Sequence, residues 1–183
     1  MQKNLYLNQK FTKFINNENF EFDRSKILKI LNSDLLEDAY KTISKWQKYQ
    51  PTPLESLNKL SKELELKNIF YKDESKRFGL KSFKALGGAY AVEKITKGRK
   101  DITVSTATAG NHGKSVAWGA KNLGLNCKIF ISENVSETRA EEMRSLNAEV
   151  IRVKGNYEDS LNFCKEESKK NNWEIIQDVA WPN

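Results

Sequence analysis

From residue 84 onward the chain reads as α/β, a parallel-sheet small domain with helices on both faces. Two observations predict this. Short β-branched or apolar runs alternate with helical-period segments from Phe83 to Gln177. The connections between them are short, as crossovers between parallel neighbours in one sheet tend to be.

Each element has its own signal. From Ser33 to Tyr49, Leu35, Leu36, Ala39, Ile43 and Trp46 recur at helical spacing, with Ser33 or Asp34 available as N-cap. The first twenty-odd residues, rich in Asn, Lys and Phe, carry no clear period and predict an extended arm. Pro51-Thr52-Pro53-Leu54 forces an extended turn. A helix over Ser56 to Leu64 and a short strand over Asn68 to Lys72 follow. The alternation then runs as helix Phe83 to Thr96, strand Ile102 to Ser105, helix Asn111 to Leu123 and strand Cys127 to Ile131. It continues as helix Ser136 to Leu146, strand Glu149 to Val153, helix Tyr157 to Lys170 and strand Glu174 to Gln177. Ser136 and Asn156 precede acids that complement a helix dipole, so both read as N-caps. Gly98, Gly124 and Gly155 stand where segments stop. Gly87 and Gly88 read as sites of close helix-to-sheet approach.

Composition narrows the function. A chain of 183 residues buries one ordinary core, or a small domain plus part of another. No apolar run approaches the ~20 residues that span a bilayer. Met1-Gln2-Lys3-Asn4-Leu5-Tyr6 lacks the apolar stretch of a signal peptide. A cytoplasmic protein without a membrane partner is expected. Cys127 and Cys164 are far apart and read as small buried apolar residues. The single histidine, His112, leaves no His-rich cluster, and no metal is expected. The net charge of +7 raises nucleic-acid binding. Its lysines are interleaved with acids, as in Lys165-Glu166-Glu167-Ser168-Lys169-Lys170, so solvated helix faces account for it and no nucleic-acid partner is expected.

Three segments carry candidate chemistry. Lys84 lies at the mouth of an apolar helix, behind Phe83 and ahead of Gly87-Gly88. Partial desolvation there lowers a lysine's pKa and frees the amine to form a Schiff base. In a lysine-rich chain the ordinary reading of such a residue is a solvated one, its stem laid along the surface. A second segment, Thr106 to Gly113, shifts the balance: Thr108-Ala109-Gly110-Asn111 follows a strand and opens a helix, where unpaired N–H groups favour a carboxylate or phosphate. Asn111 alone would ordinarily be a helix cap. Asp178 follows the last strand, at the carboxyl edge where α/β sheets hold ligands, although a lone Asp there is ordinarily a turn residue.

Together these segments resemble the fold type II (tryptophan synthase β-like) pyridoxal-phosphate enzymes. Ser82-Phe83-Lys84 matches that group's cofactor-lysine motif and Gly110-Asn111-His112 its asparagine loop. The resemblance is strongest to the diaminopropionate ammonia-lyase family. It runs through Lys72-Asp73-Glu74-Ser75-Lys76-Arg77-Phe78-Gly79-Leu80, through Gly110-Asn111-His112-Gly113 with Val116-Ala117-Trp118, and through Gln177-Asp178-Val179-Ala180-Trp181. It extends from about Pro51 to Trp181. It implies pyridoxal 5'-phosphate as cofactor, Lys84 as the lysine that carries it, Phe83 against its ring, and Asn111 on its ring hydroxyl. Thr108, Ala109, Gly110 and His112 would line the substrate carboxylate site, and Asp178 would be the base for the Cα proton.

The resemblance also implies an amino-acid substrate and a homodimeric intact enzyme that converts 2,3-diaminopropionate to pyruvate and ammonia. Residues 1–85 would be an arm and the leading part of an incomplete larger α/β domain, and 86–183 the small domain. The group's glycine-rich phosphate loop has no counterpart, since no glycine follows Gly155. The chain is therefore expected to be the N-terminal portion of the enzyme and inactive as it stands. The ammonia-lyase pattern has an acidic residue where this chain has Ala109, a position where threonine and serine dehydratases accept Ala. A dehydratase-like fragment and a non-catalytic α/β module are the competing readings.

Overall fold

The computed structural model describes residues 17–18 and 23–178. Contacts divide the chain into two units, with the division between Glu37 and Asp38. In the first, α1 (Arg24–Ile30) begins at Asp23, whose carboxylate accepts from the N–H groups of Ser25 and Lys26. This helix was not anticipated from the sequence, and the expected arm before it lies, apart from residues 17–18 and 23, outside the described residues. Helix α2 (Ser33–Ile43) crosses the division. Its cap is Asn32, whose side chain accepts from the Leu35 N–H at 2.9 Å, and not Ser33 or Asp34.

Helix α2 stops at Ile43, six residues short of the expected Tyr49. Lys48 takes a left-handed backbone (φ 65°). The turn directs the Trp46 indole N–H to Glu93 Oε2 at 2.6 Å, so a tertiary contact overrides the helical spacing. Leu54–Ser56 then forms β1, paired antiparallel with β2 (Phe70–Lys72), with α3 (Asn58–Glu63) between them. The sequence placed Ser56 in the helix. Strand β1 is defined by its non-local partner, a signal that the three residues do not carry themselves.

The remainder follows the expected alternation. Helix α4 (Lys84–Thr96) precedes β3 (Thr103–Ala107), α5 (Asn111–Leu123), β4 (Asn126–Ser132), α6 (Glu137–Arg144), β5 (Glu149–Val153), α7 (Tyr157–Asn171) and β6 (Glu174–Ile175). The four strands make one parallel sheet in the order β5-β4-β3-β6. Side-chain alternation separates two cores. Val104, Cys127, Ile129, Ile131 and Ile176 pack with Val92 of α4, Val116, Ala117 and Ala120 of α5 and Met143 of α6. Ala107, Phe130, Ile151, Val153 and Ile175 pack with Leu161 and Cys164 of α7. Both cysteines are buried, and burial pushes the Cys127 thiol up to about 12.

Helices α4 and α5 meet through small residues. A Cβ on Gly88 would lie 2.1 Å from Ser115 Oγ, and one on Gly119 would lie 2.8 Å from Ala89 Cα. The close approach at Gly88 is thus helix to helix, not helix to sheet, and Gly87 has nothing within 4 Å of where a Cβ would stand. Asn156 forms a capping box with Asp159 at the start of α7, whereas Ser136 makes no side-chain cap on α6.

Candidate functional site

The strand order creates a crevice. From β3 the chain passes outward through α5 to β4 and α6 to β5, then returns by α7 to β6 on the opposite side of β3. Beyond the carboxyl ends of β3 and β6 the connections diverge, and ligands of open α/β sheets bind in such places. The loop Thr108 to Gly110 leaves β3 there, and Gln177 and Asp178 leave β6 there.

Lys84, the first residue of α4, brings its amine to the same point. Its backbone N–H donates to Ser82 Oγ at 3.1 Å, and its carbonyl accepts from Ser115 Oγ of α5 at 2.7 Å. Both ends of the residue are therefore held by other side chains. Its Nζ donates to Asp178 Oδ2 at 2.5 Å, across 94 residues of sequence. The two side chains are 38% and 34% exposed. The Lys84 ammonium holds the Asp178 carboxyl below the usual carboxylate range. Partial burial opposes this, and the His112 imidazole charge adds to it. The pair can supply a carboxylate base beside a primary amine.

Phe83, Lys84, Leu86, Gly87, Ala91, His112, Gln177 and Asp178 line a cavity of about 320 Å³, together with Gly88 and Ile176. Phe83 is 63% exposed and presents its ring as a wall. Thr108, Ala109 and Gly110 form the loop by which the chain enters α5, and Thr108 Oγ1 accepts from the Gly110 N–H at 3.4 Å. Asn111, the first residue of α5, is exposed. His112 is buried, and its Nε2 lies 3.0 Å from the Ile176 carbonyl. That contact commits one ring nitrogen of a residue expected to line the carboxylate site. Gln177 accepts from Thr106 Oγ1 at 3.1 Å, while its buried Nε2 has no hydrogen-bond partner among the described residues.

Two of the sequence motifs also meet structurally. Phe78 stacks on Trp118 at 4.6 Å between centroids, with Trp46 edge-on to Trp118 at 5.6 Å. Arg77 is 6% exposed and makes paired bonds to Glu74 (2.8 and 2.9 Å), with others to Thr52 Oγ1 and the Gln50 carbonyl. Lys72 adds a bond to the Thr52 carbonyl at 2.6 Å. Much of the Lys72 to Leu80 motif thus ties the Pro51-Thr52-Pro53 segment to the turn before α4. The sequence showed the motif but not this architectural role, because its partners Gln50 and Thr52 are twenty or more residues away. Val179, Ala180 and Trp181 of the third motif lie outside the described residues.

The family described as "Pyridoxal-phosphate dependent enzyme" matches residues 45–183. The chain belongs to the pyridoxal-phosphate dependent enzymes. It is 38% identical over 151 residues to the diaminopropionate ammonia-lyase of Escherichia coli K12, covering 73% of this chain and 38% of that protein. It is 34% identical over 134 residues to the biosynthetic L-threonine dehydratase of Haemophilus influenzae, covering 73% and 26%. The solved structure of E. coli diaminopropionate ammonia-lyase with an aminoacrylate-PLP azomethine reaction intermediate superposes with a TM-score of 0.81 at 35% identity. That match covers 91% of this chain and 46% of that one. The chain spans about two fifths of the length of the ammonia-lyases it matches. Pyridoxal 5'-phosphate is the cofactor of this family. The crevice fits its aldehyde and ring end: the Lys84 amine stands at the wall, Phe83 offers a flat apolar surface, and Gly87 leaves open space. Gln177 Nε2, without a partner among the described residues, adds a buried donor. Among the described residues no helix is long and apolar enough to cross a membrane.

Proposed function

We propose that this chain contributes the amine, the base and the carboxylate-binding loop of an ammonia-lyase that degrades 2,3-diaminopropionate to pyruvate and ammonia. The observation that carries the reading is the contact of Lys84 Nζ with Asp178 Oδ2, 2.5 Å apart at the switch point of the sheet. Pyridoxal 5'-phosphate, when bound, supplies the electron sink that makes a Cα–H acidic. Lys84 would hold it through its amine, with Phe83 against its ring and Asn111 at its ring hydroxyl. Asp178, kept ionised by Lys84, accepts the Cα proton. The N–H groups opening α5, with Thr108, Ala109 and Gly110, receive the substrate carboxylate.

Residues 1–85 belong in this reading to the arm and the leading part of the larger domain, and 86–183 to the small domain. The intact enzyme is a cytoplasmic homodimer. Ala109 favours a second reading, a threonine or serine dehydratase, since those enzymes accept Ala at this position.

The test is covalent labelling in a form of the protein as long as its relatives. Borohydride reduction in the presence of pyridoxal 5'-phosphate, followed by peptide mapping, is expected to mark Lys84. A label on Lys81 or Lys76 in its place overturns the assignment.

A further inference from the structure

The end of β6 is unusual in what its backbone bonds to. The Ile176 N–H continues the ladder to the Ser105 carbonyl of β3 at 2.9 Å. The Ile176 carbonyl then pairs with His112 Nε2 in the first turn of α5. A carbonyl oxygen only accepts, so Nε2 carries the hydrogen. Both residues are buried, His112 at 6% and Ile176 at 2% exposure, where an unpaired carbonyl is costly. The next residue, Gln177, is anchored on Thr106 of β3. The residue after that, Asp178, reaches Lys84. The imidazole thus stands where the ladder ends and the chain turns into the crevice.

We propose that His112 is a positioning residue for Asp178. By holding the Ile176 carbonyl it sets the direction in which the chain leaves β6, and so delivers the Asp178 carboxylate to the Lys84 amine. This differs from a role on the substrate carboxylate, because the nitrogen concerned is already bonded to the protein. Its catalytic consequence rests on the reading of Lys84 and Asp178 given above, but the geometric claim concerns the chain alone.

The experiment uses the 183-residue chain without cofactor. His112 is the single histidine, so a nitrogen-15 spectrum of the labelled ring contains one imidazole. In the neutral ring the hydrogen is expected on Nε2. A ring protonated on Nδ1 alone overturns the proposal, and this measurement needs no variant. Two variants then separate the bond from the ring. His112→Gln places an amide N–H where Nε2 stood, whereas His112→Asn is too short to reach it. The rate of Lys84 acylation, resolved by peptide mapping, reports the ion pair.

In His112→Asn the rate is expected to rise about fivefold, the scale of losing a half-exposed pair. The Asp178 carboxyl, followed by carbon-13 titration, moves up toward the ordinary carboxylate range. His112→Gln is expected to keep the acylation rate near the wild type, with only the smaller upward move of the carboxyl that follows from losing the imidazole charge. An unchanged His112→Asn overturns the proposal, as do equal effects in the two variants. Asp178→Asn is the control that frees Lys84 directly. A cofactor label on another lysine would sink the functional reading and leave these results intact.

Discussion

Alanine at Gly87 and alanine at Gly88 are adjacent substitutions on one helix whose effects should have opposite signs. A Cβ at Gly88 would stand 2.1 Å from Ser115 Oγ and 2.8 Å from Ser115 Cβ. Rotating the hydroxyl relieves the first contact at the expense of its bond to the Lys84 carbonyl. The second contact persists, because Cβ moves only with the α5 backbone. Overpacking of this kind costs ~1–3 kcal/mol, and replacing a helical glycine returns ~1 kcal/mol. With about 1 kcal/mol for the lost Ser115 hydrogen bond, a net loss of about 1–3 kcal/mol is expected for Gly88→Ala, or a fall of roughly 2–12 °C in Tm for a chain of this size.

Gly87 meets nothing within 4 Å, so Gly87→Ala retains the propensity gain and stabilises by ~0.5–1 kcal/mol. Urea unfolding followed by tryptophan fluorescence measures both, since Trp118 lies on α5. Ser115→Gly added to Gly88→Ala removes the obstructing atoms and is expected to recover most of the overpacking cost. The reasoning fails if Gly88→Ala is as stable as the wild type, or if the two alanines shift stability in the same direction.

Other outcomes follow from the same structure. Arg77 holds the Glu74 carboxyl down to about 2, from an ordinary 4.5. This folded-state depression stabilises above pH 4.5, and the contribution, on the order of 2–3 kcal/mol, is lost as pH falls from there toward 2. An acid titration of stability should show that fall in the wild type and a lower, flatter profile in Glu74→Gln. Asn156→Ala removes a capping box and should cost ~1 kcal/mol in chemical denaturation. Ser136→Ala, which removes no cap bond, should change stability by less than ~0.5 kcal/mol. In the longer form, L-2,3-diaminopropionate should be turned over with strong loss on the D-isomer, because Ala109 has no proton acceptor and one base reaches one face. Ala109→Asp should recover the D-isomer and Asp178→Asn should abolish the L-isomer in a pyruvate assay, whereas equal rates on both isomers in the unsubstituted enzyme would show another base at work.

The amino-acid sequence alone determined the alternating half of this protein. Helix α5 begins and ends where Asn111 and Gly124 mark it, and β5 spans the expected Glu149 to Val153, because a local period and a local cap suffice to define such elements. Lys84 and Asp178 were legible as candidates, since the motifs that carry them are contiguous. Their 2.5 Å contact was not legible, because it depends on the return of α7 to the far side of β3. Nor were β1, the early stop of α2 at the Trp46 turn, or the burial of Arg77 against Glu74 and Thr52. The partners of β1 lie fourteen to eighteen residues away, and Glu93 and Thr52, the partners of Trp46 and Arg77, lie more than twenty away. No local pattern encodes such a partner, and only the folded chain brings it within hydrogen-bond reach.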